Sequence, residues 1–90
     1  MNDRELLEAA AKAAGYQHKW HHAGLSIDAA CGVWNPLTDD GDALRLAVKL
    51  GLLPCGLAGF YDYENEAEYA ADPYAATRRA IVLYAASMAE

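Results

Sequence analysis

Residues 34–52 read W-N-P-L-T-D-D-G-D-A-L-R-L-A-V-K-L-G-L, and this stretch specifies its own local structure more fully than any other part of the chain. Asn35-Pro36 predicts a turn, because proline cannot donate to a β-ladder and restricts the residue before it. We expect Thr38 to cap a helix whose first turn carries three aspartates, which complement the helix dipole. Gly51 predicts the end of this helix.

The apolar residues of this helix cover a wide arc. Leu44, Ala47 and Val48 line one side of the arc, while Arg45 and Lys49 lie together on the predicted solvent face. A wide apolar arc indicates a helix with neighbours on several sides. We therefore expect this helix to be the central and most buried one.

Two further helices are predicted near the ends of the chain. The first covers residues 3–14, with Asn2 and Glu5 as a capping box and Gly15 as its stop. Its many alanines predict a slim helix that lies close against its partner. The last covers residues 72–89, where Asp72 precedes a proline at the first helical position. Its predicted buried stripe consists of Tyr74, Thr77, Ile81, Tyr84 and Met88.

Short strands are predicted between the helices. Residues 16–22 alternate with period two, residues 25–28 and 31–34 are predicted to form a hairpin, and residues 57–63 are an edge-strand candidate. The sequence thus predicts a single α+β domain over residues 1–90. Its small antiparallel sheet of three to four strands would pack with three helices in the order α–β–β–β–α–β–α.

The composition is globular and acidic. There are 13 acidic against 7 basic residues, which gives a net charge of −6. Direct binding to a phosphate backbone needs a basic patch, so we expect no direct nucleic-acid binding. Acidity of this kind indicates either a basic protein partner or simple solubility.

The sequence predicts a cytoplasmic protein. No apolar run approaches the roughly 20 residues of a membrane span, and the polar N-terminus lacks the basic and apolar regions of a secretory signal. Cys31 and Cys55 belong to no C-x-x-C unit. In the cytoplasm two reduced thiols are favoured, and a disulfide between them stays open as the alternative.

No set of residues predicts catalysis, a metal or a cofactor. His18, His21 and His22 form an H-x-x-H-H pattern, but zinc needs about four ligands and no such set is present. A Cys–His pair would need an orienting group and an oxyanion hole, and phosphate-binding glycine loops are absent. We therefore predict a protein that is not an enzyme.

An acidic, tyrosine-rich segment precedes the last helix. In an extended chain its alternate acids would share one face, about 6.6–6.8 Å apart, with tyrosines on the other. One interpretation is a partner-binding surface, since tyrosine is enriched at interfaces; the other is a solvated loop whose acids complement a helix dipole. Asp39, Asp40 and Asp42 would extend the surface if the two helix N-termini lay on the same side. The predicted partner-binding residues are Asp62, Glu64, Glu66, Glu68, Asp72, Tyr61, Tyr63 and Tyr69.

Residues 34–52, together with D-P-Y-A-A-T-R-R-A-I-V at residues 72–82, resemble a group of small bacteriophage and prophage proteins with an ABA-sandwich-like domain. The resemblance implies a small α+β fold and an infected or lysogenic bacterial host, and it implies no enzyme activity. Small acidic phage proteins often occupy sites on bacterial proteins. Some inhibitors of CRISPR–Cas and other defence complexes present carboxylates where nucleic-acid phosphates would lie.

Two functions follow as expectations. The first is a non-enzymatic phage accessory protein that binds a bacterial protein and inhibits a defence system, as anti-CRISPR proteins do, with an acidic surface that mimics nucleic acid. The second is a structural or oligomerising accessory domain, with the alanine-rich faces of the first and last helices as its interface. A third, minor hypothesis is a zinc-binding module at His18, His21 and His22, and the sequence leaves this, the partner and the oligomeric state open.

Overall fold

The computed structural model describes residues 2–28, 32–51 and 70–89. These residues form α1 (Asp3–Ala13), β1 (His18–His21), β2 (Gly24–Ile27), α2 (Asp40–Lys49) and α3 (Pro73–Met88). The two strands pair antiparallel, so the α+β class is confirmed. The candidate strand at residues 57–63 lies outside the described residues. Among the described helices none has the length and apolarity to cross a bilayer.

The predicted ends of α1 are confirmed. The Asn2 side chain accepts a hydrogen bond from the Glu5 N–H at 2.8 Å, and the Glu5 carboxylate accepts one from the Asn2 N–H at 3.4 Å. Such a capping box satisfies two N–H groups that a helix N-terminus leaves without partners. Gly15 follows the C-cap with a φ of 78°, which favours glycine over other residues.

The hairpin forms one segment earlier than predicted. β1 pairs with β2, with Lys19 opposite Ser26 and His21 opposite Gly24. Of the predicted pairing of residues 25–28 with residues 31–34, the described residues contain one bond, from the Trp34 N–H to the Leu25 carbonyl at 2.8 Å, and residues 32–34 form no strand there. Residues 29–31 lie outside the described residues. The φ of 144° at Gly24 is accessible to glycine and lets the chain reverse directly after His21. Gly24 is therefore the first residue of β2.

The turn before α2 is confirmed, but the predicted cap is wrong by one residue. Asn35 organises the turn: its side-chain oxygen accepts the Leu37 N–H at 3.0 Å and its carbonyl accepts the Asp39 N–H at 2.9 Å. Asp39 is the N-cap and accepts the Gly41 N–H at 2.9 Å. Thr38 instead donates its hydroxyl hydrogen back to the Asn35 carbonyl within the turn.

The most extensive contact between elements joins α1 to α3, and both helices bring buried alanines to the core. Ala10, Ala11, Ala80 and Ala85 are completely buried. Residues this small let two helix backbones approach closely. The buried alanines of the first and last helices therefore pack within one chain, and the oligomerising alternative stays a prediction.

Two predicted burial patterns are wrong. In α2, Leu44 is 55% and Val48 61% exposed, so two of the three residues predicted to line its buried side face solvent. In α3, Tyr74 and Met88 are exposed, and burial falls on alanines together with Ile81 and Val82. The buried side of each helix instead combines alanines with larger apolar residues: Leu46 in α2, and Ile81 and Val82 in α3.

Trp34 is the largest side chain buried in the described core. The Tyr16 ring packs edge-to-face against it, with 5.8 Å between ring centroids, a favoured geometry for aromatic pairs. Burial raises the pKa of the Tyr16 phenol, because the charged form loses hydration there. The residue that ends the predicted sheet thus anchors the core.

Candidate acidic partner-binding surface

Asp72 is the predicted partner-binding residue that falls within the described part of the chain. It is exposed, and its carboxylate caps α3 by accepting the Ala75 N–H at 3.1 Å, with Pro73 at the first helical position as predicted. The capping bond fixes the side chain at the helix end while its charge faces solvent. The other predicted residues lie outside the described residues: Tyr61, Asp62, Tyr63, Glu64, Glu66, Glu68 and Tyr69.

Arg78 joins the N-terminal half of α3 to the beginning of α2. Its Nε–H donates to the Leu37 carbonyl at 2.9 Å, and its Nη1 lies 2.5 Å from the Asp40 carboxylate. Arg78 is about 9 Å along the helix axis from Asp72 at the rise of an α-helix. The N-termini of α2 and α3 therefore lie on the same side, which is the condition under which Asp39 and Asp40 extend the surface around Asp72.

Arg79 brings the third helix N-terminus to the same region. Its Nη1 lies 3.4 Å from the Asp3 carboxylate in the first turn of α1. Adjacent residues on a helix point about 100° apart, so Arg78 reaches towards the beginning of α2 while Arg79 reaches towards the beginning of α1. We call the four exposed carboxylates at these three helix N-termini the acidic face: Asp3, Asp39, Asp40 and Asp72.

The ion pairs of the acidic face are asymmetric. The Arg78 side chain is 18% exposed while its partner Asp40 is 68% exposed, and the Arg79 side chain is 39% exposed against 71% for Asp3. In each pair the guanidinium is the inner member and the carboxylate the outer one. An approaching molecule therefore meets the two carboxylates first, although each carboxylate also forms an ion pair within the chain.

Asp42 does not belong to this face, contrary to the extension considered from the sequence. It is buried; one carboxylate oxygen accepts the Asn35 N–H at 2.9 Å and the other accepts from Arg45 at 2.8 Å. The hydrogen bond that Arg45 donates to the Asp42 carboxylate raises the pKa of Arg45, because it stabilises the charged guanidinium. A signal was present in the sequence, since Asp42 is four residues before the buried Leu46 and so shares its side of the helix.

The three histidines are exposed side chains at the hairpin. Within residues 2–28, 32–51 and 70–89 no three His, Cys, Asp or Glu side chains are grouped as metal ligands. His21 does have a polar partner that the sequence reasoning missed: its Nε2 lies 2.8 Å from the Ser26 hydroxyl. The sequence-based prediction missed this contact because it paired residues 25–28 with residues 31–34, whereas β2 pairs with β1.

Comparison of the chain with protein-family models, curated proteins and solved structures gives no match. The case for the acidic face therefore depends on its geometry and charge.

Proposed function

We propose that this chain is a non-enzymatic phage accessory protein that binds a basic, nucleic-acid-binding surface on a bacterial protein and thereby inhibits a defence system. The acidic face and the acidic, tyrosine-rich segment before Asp72 form the binding surface in this proposal. The observation that carries it is the arrangement of the two ion pairs, with arginines inside and carboxylates outside.

The acidic face is suited to electrostatic recognition because its charges are held in place. Asp39 and Asp72 are N-caps, and Asp3 and Asp40 are each paired with an arginine from α3. These aspartate side chains therefore lose little conformational freedom when a partner binds, which lowers the entropic cost of association. Complementary charge also steers encounter with a basic surface and raises the association rate at low salt.

A pair of cap substitutions tests the face without removing the caps. Asp39→Asn combined with Asp72→Asn deletes two charges, while asparagine remains a good N-cap. We expect the melting temperature to change little and the association rate with a captured partner to fall about tenfold at low salt. Asp28→Asn is the matched control, because Asp28 is also exposed and accepts a backbone N–H, that of Gln17, at the far end of α1.

The partner is obtained by capture on the immobilised chain from a nuclease-treated lysate of bacteria with an active CRISPR–Cas system. We expect nucleic-acid-binding proteins among the captured ones, released by double-stranded DNA as competitor. A second variant with Asp62, Glu64, Glu66 and Glu68 changed to their amides tests the segment separately. Capture that DNA does not compete, or that both charge-deleted variants retain in full, would contradict the proposal.

A further inference from the structure

We draw no further inference here: the strongest candidate, the exposed side of α2 on which Leu44 and Val48 form an apolar pair beside Arg45 and Lys49, carries nothing, because nothing in the described residues shows what covers it.

Discussion

Asp42 shows how one carboxylate at the start of a helix acts differently from its neighbours. Asp39 and Asp40 point to solvent, but Asp42 turns inward and joins α2 to the Asn35 turn and to Arg45. A buried carboxylate is stable only when its oxygens are satisfied, and here both have partners. The residue thus fixes the turn that leads from Trp34 into α2.

We predict that Asp42→Ala destabilises the protein by about 2–3 kcal/mol, because it leaves the part-buried Asn35 N–H without its acceptor. Urea denaturation followed by circular dichroism measures the change in the free energy of unfolding. Asp28→Ala removes an exposed bond to Gln17 and should cost about 0.5 kcal/mol or less. Equal costs for the two variants would show that burial of Asp42 is not the cause.

Single-residue features were the most predictable part of the structure. The capping box of Asn2 and Glu5, the stop at Gly15 and the cap at Asp72 all depend on bonds between residues a few positions apart. The cap of α2 was misplaced because Thr38 and Asp39 are both good cap residues. Local bonding alone does not choose between two adjacent candidates.

At the scale of elements, alanine decides how the helices meet. α1 and α3 pack through completely buried alanines, while the large side chains Leu44 and Val48 on α2 stay exposed. Sequence patterns weight residues by hydrophobicity, so they favoured the large residues as the buried ones. Two helices approach closely only where the side chains between them are small, and a pattern of polar and apolar residues does not record side-chain size.

We predict that Ala80→Leu costs about 1–3 kcal/mol, because added carbons have no space between α1 and α3. Thermal unfolding should show this as a fall of about 4 °C or more in the melting temperature. Ala75→Leu, at a half-buried position of the same helix, is the control and should cost less than half as much. A neutral or stabilising Ala80→Leu would mean that the α1–α3 contact is looser than described.

At the scale of the whole molecule, Arg78 and Arg79 hold the three helix N-termini around one region. Arg78 contacts Leu37, 41 positions away, and Arg79 contacts Asp3, 76 positions away. Contacts between residues this far apart in the sequence cannot be predicted from periodicity or from local spacing. The sequence could name Asp39 and Asp40 only as conditional members of an acidic surface, and it gave no reason to include Asp3.

We predict unequal roles for the two adjacent arginines. Arg78→Ala should cost about 1–2 kcal/mol, since it leaves a part-buried carbonyl at Leu37 without its charged donor. Arg79→Ala removes a longer and more exposed ion pair and should cost less than about 1 kcal/mol. Chemical denaturation of both variants under identical salt conditions measures the difference. A larger loss for Arg79→Ala would contradict this account of how α3 is held.

The two tryptophans give the protein two separate optical probes. Trp34 lies in the core against Tyr16, so its fluorescence reports the loss of the whole fold. Trp20 lies at the surface under the Arg4 guanidinium, 4.1 Å from the ring centroid, and donates its indole N–H to Glu8. Its emission reports whether the hairpin stays docked on α1. With Trp34→Phe and Trp20→Phe variants, the detachment of the hairpin and the unfolding of the core become distinguishable without any attached dye.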